Sequence, residues 1–163
     1  MWGEGRGRSW RGIRVSVSAE DASGCLVLRV RGDLDYLTAP DVLAWAGRVI
    51  RDSGGSPRVV LDLGEVAFFD SSGLGAVVEL WKDALAAGGE LGVARPARTC
   101  LLMLRRTGLA GRIEMTDSVA GTAELLRAGA RRETRSRSPG GVRRVSPDRW
   151  CRGRCGAGAR THP

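Results

Sequence analysis

The run Val59-Val60-Leu61-Asp62-Leu63, followed by Phe68-Phe69-Asp70-Ser71-Ser72-Gly73-Leu74-Gly75, decides how this chain folds. Val59, Val60 and Leu61 are consecutive apolar positions, the pattern of a strand covered on both faces, as parallel strands between helices are. This is expected to be the central strand. From Ser71 the period becomes helical, with Leu74, Val77, Val78, Trp81 and Leu85 on one face. Gly88-Gly89 is expected to close that helix with a left-handed C-cap.

Working outward, Ile13, Val15 and Val17 alternate with Arg14, Ser16 and Ser18, and Leu26, Leu28 and Val30 alternate with Val27, Arg29 and Arg31 beyond a turn at Asp21 to Gly24, which predicts an opening β-hairpin. Thr38 is a plausible N-cap with Pro40 in the first turn, and Ala39, Leu43, Ala46 and Ile50 carry a helix to about Asp52. Downstream come a short strand over Leu91 to Ala94, a helix over Ala97 to Thr107, a weak strand over Ile113 to Met115 and a last helix over Val119 to Ala128. The order ββαβαβαβα predicts an α/β domain, a small mixed sheet packed with about four helices and right-handed crossovers.

The chain of 163 residues is long enough for one domain with a core. Its net charge of +8 suggests a polyanionic partner, yet the charge is unevenly placed. Residues 13–128 hold thirteen basic residues against fifteen acidic ones. The excess lies in residues 1–12, expected to be a flexible extension, and in residues 129–163, where ten arginines stand against Glu133 and Asp148. That Arg-, Gly-, Ser- and Pro-containing tail is expected to be disordered. No apolar run is long enough to span a bilayer and the start lacks a secretory segment, so a cytoplasmic protein is expected, with no membrane partner. Cys25 and Cys100 fall in apolar contexts and read as buried thiols. Cys151, Cys155 and His162 could be three zinc ligands, but their spacing is loose and a fourth ligand is missing.

Ser71 and Ser72 sit where a helix begins, and either hydroxyl could simply cap it. No enzyme is expected: His162 is the chain's single histidine, no Ser-His-Asp set can be assembled around it, and there is no phosphate-binding glycine loop ending in Lys.

Gly32-Asp33-Leu34-Asp35 with Thr38-Ala39-Pro40, Val60-Leu61-Asp62-Leu63, Phe69-Asp70-Ser71-Ser72-Gly73-Leu74-Gly75, Gly88-Gly89-Glu90-Leu91 and Leu104-Arg105-Arg106-Thr107-Gly108-Leu109 together resemble the bacterial anti-sigma factor antagonists, the single-domain members of the STAS family. The likeness is collinear over residues 13–128. It implies a partner switch: the antagonist binds an anti-sigma factor that is also a serine kinase, and a sigma factor is set free. The kinase inactivates the antagonist at the first Ser after the motif Asp, here Ser71, and a metal-dependent serine phosphatase reverses the step. Asp33, Asp35, Thr38, Asp70, Ser72, Gly73 and Leu74 are then expected to line the docking surface. No cofactor is implied.

Phosphorylation would add about −1.5 to −2 charges at pH 7. A helix N-terminus stabilises an anion by about 0.3–1 kcal/mol, so the fold should survive. The same charge beside Asp70 in an interface brings repulsion and desolvation, enough to lower affinity without rearrangement. Two other readings stand beside this one: a STAS interaction module without the phospho-switch, and nucleic-acid binding through the basic tail.

Overall fold

The structure, a computed structural model, describes residues 7–136, with side-chain surroundings for residues 7–129. The strands are β1 (Arg8–Arg11), β2 (Val15–Ala22), β3 (Cys25–Leu34), β4 (Arg58–Phe69), β5 (Glu90–Ala94) and β6 (Glu114–Thr116). Four helices, α1 (Ala39–Asp52), α2 (Ser71–Ala86), α3 (Arg98–Arg106) and α4 (Val119–Ser136), and one short 3-10 turn at Leu109–Gly111 complete the order. The six strands form one sheet in sequence order, antiparallel from β1 to β3 and parallel from β3 to β6. Each parallel step is made through a helix, as the alternating pattern predicts.

The central run behaves as expected for a doubly covered strand. Val59, Leu61 and Leu63 face the main core with Val42, Ile50, Val77 and Leu80, while Val60 joins Cys25, Val27, Ala94, Ala123 and Leu126 beneath α4. Asp62, 1% exposed, is the charged exception in this strand. It accepts two hydrogen bonds from Arg95, at 2.9 and 2.7 Å, and one from the Gly64 amide at 3.1 Å, with Arg29 at 3.4 Å.

Several boundaries differ from the sequence pattern. Residues 8–11 are not a flexible extension: they pair with β2, and Trp10 packs against the core. Ile13, assigned to the hairpin's inner face, lies between strands and is fully exposed. β4 runs on to Phe69 because its second half pairs with β3, through to Leu34 opposite Phe69. Helix α4 continues past residue 128 to Ser136, so the chain from Gly129 begins as helix. Residues 137–163, with Cys151, Cys155 and His162, lie outside the described residues.

Helix α2 buries a different stripe from the one its large residues suggest. Gly73, Ala76, Val77, Leu80 and Ala84 face inward, whereas Leu74, Val78 and Trp81 are half-buried and Leu85 is exposed. Small residues on this face let α1 and α2 pack side by side over the sheet. The end of α2 follows the expected form: Gly88 has φ +75, and the amides of Gly88 and Gly89 donate to the carbonyls of Leu85 and Ala84 at 2.9 Å each. No helix among the described residues is long and apolar enough to cross a membrane.

Candidate functional site

The carboxyl ends of β3 and β4 lie side by side, with Asp33 opposite Phe68 and Leu34 opposite Phe69. Both strands then turn into helices, so the β3–α1 loop and the start of α2 share one end of the sheet. All the sequence-predicted site residues belong to these two segments, and the fold brings them together.

The cap of α2 is Asp70 rather than either serine. One of its carboxylate oxygens accepts from the amides of Ser72 and Gly73 at 2.8 and 3.1 Å. A carboxylate suits this position twice, as an acceptor for free N–H groups and as a charge matched to the helix dipole. Neither serine hydroxyl is in a hydrogen bond among the described residues. Ser71, the first residue of the helix, is exposed, and Ser72 is half-buried. Gly73 is buried against the neighbouring strand: a Cβ there would sit 2.5 Å from the Leu34 carbonyl oxygen and 3.1 Å from the Phe69 ring. Its lack of a side chain seats the helix start on β3. Gly75, by contrast, is exposed, and a Cβ added there would meet nothing within 4 Å.

The β3–α1 loop is organised by Asp35. Its carboxylate accepts from the amides of Leu37 and Thr38 at 2.9 and 3.1 Å and pairs with Arg14 at 3.2 Å. The Thr38 hydroxyl donates to the Asp33 carbonyl at 2.7 Å and accepts from the Asp35 amide at 3.0 Å. Thr38 stands at the N-cap position of α1, but its side chain makes no capping bond there. Burial pushes the Asp35 carboxyl up, yet the two amides, Arg14 and the Thr38 hydroxyl outweigh it, so it lies below the ordinary carboxylate value. Asp35 and Thr38 are 4% and 7% exposed, which makes them supports of the surface rather than its outer lining. Asp33 is half-buried and also pairs with Arg14, which ties β2 to the loop.

Asp35 holds out the two residues that follow it. Tyr36 and Leu37 are 68% and 56% exposed, and Phe68 on the adjoining strand is 53% exposed. These are large side chains turned outward at the ends of β3 and β4, the kind of residue that protein interfaces use as anchors. Sequence reasoning missed Tyr36, Leu37, Phe68 and Arg14. Tyr36 and Leu37 between Asp35 and Thr38 are the legible signal, being bulky residues in a turn too short to fold them inward.

The arrangement offers an exposed hydroxyl at a helix start with Asp70 next to it, and an adjoining strand end and loop that carry Asp33, Asp35 and the exposed Tyr36 and Leu37. Among the described residues no cluster of His, Cys, Asp and Glu could hold a metal ion. The Cys100 thiol is pushed up to about 12 by burial and belongs to the core.

Residues 16–122 match the STAS domain family. An anti-sigma F factor antagonist of Paenibacillus polymyxa is 31% identical over 81 residues, half of this chain and 68% of that protein. Among solved structures, an anti-sigma factor antagonist from Mycobacterium paratuberculosis has a TM-score of 0.61 at 26% identity, covering 69% of this chain and 94% of that one. The Bacillus cell fate determinant SpoIIAA in its phosphorylated form has a TM-score of 0.54 at 19% identity, covering 67% and 98%.

Proposed function

The chain belongs to the STAS domain family, and on that premise we propose that it is an anti-sigma factor antagonist, switched off by phosphorylation at Ser71. Unmodified, it binds an anti-sigma factor with serine kinase activity in the cytoplasm and so releases a sigma factor; a metal-dependent phosphatase restores it. It acts by binding, with no catalytic chemistry of its own.

The observation that carries this reading is the division of labour at the start of α2. Asp70 caps the helix, which leaves the Ser71 hydroxyl exposed and unengaged among the described residues. Phosphorylation of this hydroxyl therefore breaks no hydrogen bond among the described residues that the helix start depends on. The relatives named as anti-sigma factor antagonists support the partner class, and SpoIIAA has been obtained in a phosphorylated form.

The docking surface has three parts. Tyr36, Leu37, Phe68 and Leu74 supply apolar anchors, Asp33, Asp70 and Ser72 supply polar contacts around Ser71, and Asp35, Thr38 and Gly73 hold the backbone in place. A phosphate on Ser71 puts about two negative charges next to Asp70 in that surface. Loss of affinity then follows from repulsion and desolvation, with the fold intact. Phosphorylation by the cognate kinase followed by peptide mapping tests the site. Label confined to the peptide carrying Ser71, and abolished by Ser71→Ala, is the expected result; undiminished labelling of that variant overturns the assignment.

A further inference from the structure

Helix α3 follows β5 and packs its inner side, Cys100 and Leu104, into the core. Its outer side has an unusual composition. Arg98, Leu102, Arg105 and Arg106 recur at spacings of four, seven and eight residues, which places them on one stripe of the helix. All four are exposed, Leu102 at 48%. Arg112, just past the 3-10 turn, is exposed as well.

These arginines differ from the rest in being clustered: Arg11, Arg48, Arg58 and Arg127 also lack an ion pair among the described residues but lie apart in the sequence. Arg14, Arg29, Arg31, Arg51 and Arg95 are each in ion pairs with carboxylates. Arg98, Arg105, Arg106 and Arg112 are in none among the described residues. From Leu91 to Ile113 the sequence holds five arginines and no acidic residue, within a domain whose acidic residues otherwise outnumber its basic ones. Helix stability accounts for only part of this. Arg105 and Arg106 lie in the last turn, where a cation suits the dipole, but Arg98 lies in the first turn, where it does not, and no acidic residue offsets it. The stripe is held firmly: the Thr107 hydroxyl donates to the Met103 and Leu104 carbonyls at 3.0 and 3.1 Å, and Gly108 turns the chain away with φ +73.

We propose that the outer stripe of α3 docks an acidic, leucine-bearing segment of a partner protein. The arginines call for an anion, and Leu102 at their centre calls for an apolar contact. Arg98 and Arg105 are about 10 Å apart along the helix axis, a span that fits a short peptide. A nucleic-acid duplex is the poorer match, because residues 13–128 as a whole carry more acidic than basic residues, which works against a longer phosphate backbone. The proposal is independent of the Ser71 reading.

Fluorescence anisotropy on the full chain tests it with three labelled probes: a synthetic peptide of glutamate and leucine at helical spacing, an all-glutamate peptide of equal length, and duplex DNA. The arginines of residues 129–163 are common to every variant, so the comparison isolates α3. The triple variant Arg98→Gln, Arg105→Gln, Arg106→Gln should bind the glutamate–leucine peptide about tenfold or more weakly than the unaltered chain. Leu102→Ala should weaken that peptide about threefold and leave the all-glutamate peptide unchanged. If the triple variant melts lower, Arg98→Gln alone carries the test, with a loss of about twofold or more expected. Equal affinity in the altered and unaltered chains overturns the proposal, as does failure of the unaltered chain to bind the peptide. A loss confined to duplex DNA also overturns it, assigning the stripe to nucleic acid instead.

Discussion

Replacing Asp70 by Ala removes an acceptor for two backbone amides, at 2.8 and 3.1 Å, and a charge at the positive end of a 16-residue helix. Loss of an N-cap costs about 0.5–2 kcal/mol. Loss of the charge adds about 0.3–1 kcal/mol. The expected total for this half-buried site is about 1–3 kcal/mol, seen as a lower urea midpoint at unchanged slope. Two companions separate the components. Asp70→Asn keeps an acceptor and should lose only the charge contribution, about 0.3–1 kcal/mol. Asp70→Ser keeps a neutral cap and should fall between Asn and Ala. The reasoning is refuted if Asp70→Ala matches the unaltered chain. That result would mean a serine hydroxyl caps the helix equally well, and the claim that Ser71 is spared from structural duty would go with it.

Asp62→Ala should be the costliest single change among the carboxylates, since it leaves Arg95 and Arg29 facing a buried gap. Breaking a buried pair costs about 3–5 kcal/mol, and the part-exposed Arg95 keeps the loss near the lower figure. Burial pushes the Asp62 carboxyl up, but hydrogen bonds from Arg95 and Gly64 with the charges of Arg95 and Arg29 bring it below its ordinary value. Its contribution is therefore complete above the unfolded value, about 3.9, and lost as pH falls through the lower folded value. Denaturation from pH 7 to pH 2 should show a constant gap between the chain and Asp62→Asn near neutrality, closing only below about pH 4. Gly73→Ala should destabilise by about 1–3 kcal/mol in urea titrations, because the added Cβ meets the Leu34 carbonyl at 2.5 Å. Tyr36→Ala and Phe68→Ala should each leave the melting curve within about 0.5 kcal/mol yet weaken anti-sigma binding by about tenfold in calorimetric titration.

The sequence is most legible where one force dominates. Val59 to Leu63 reads as a buried strand because helices cover both faces, and Gly88-Gly89 reads as a helix end because few residues tolerate a left-handed backbone. It is least legible where the decisive partner is distant. Arg8–Arg11 forms a strand through pairing with β2, with Trp10 as its single large apolar residue. The second half of β4 is separated from the first by Gly64-Glu65 and is held by its ladder with β3. In α2 the buried stripe follows from how closely α1 and the sheet approach, so small residues face inward and large ones flank them.

At the candidate site, the motif residues can be found from spacing, but their tasks cannot. In the sequence Asp70 and Asp35 read alike as docking-surface carboxylates, and Thr38 as a helix cap beside them. In the structure Asp70 caps α2, while buried Asp35 and Thr38 bind the loop together. The outward apolar residues escape a pattern search because exposure is a property of the fold: Phe68 and Phe69 are adjacent, and only Phe69 is buried.

The most direct test of the switch is calorimetric titration of an anti-sigma kinase, captured with the unmodified protein, against the chain with and without phosphate on Ser71. Circular dichroism confirms that both forms are folded. The account predicts tight binding by the unmodified form and a loss of about a hundredfold or more on phosphorylation, equal to about 2.7 kcal/mol. Equal affinity of the two folded forms would contradict it.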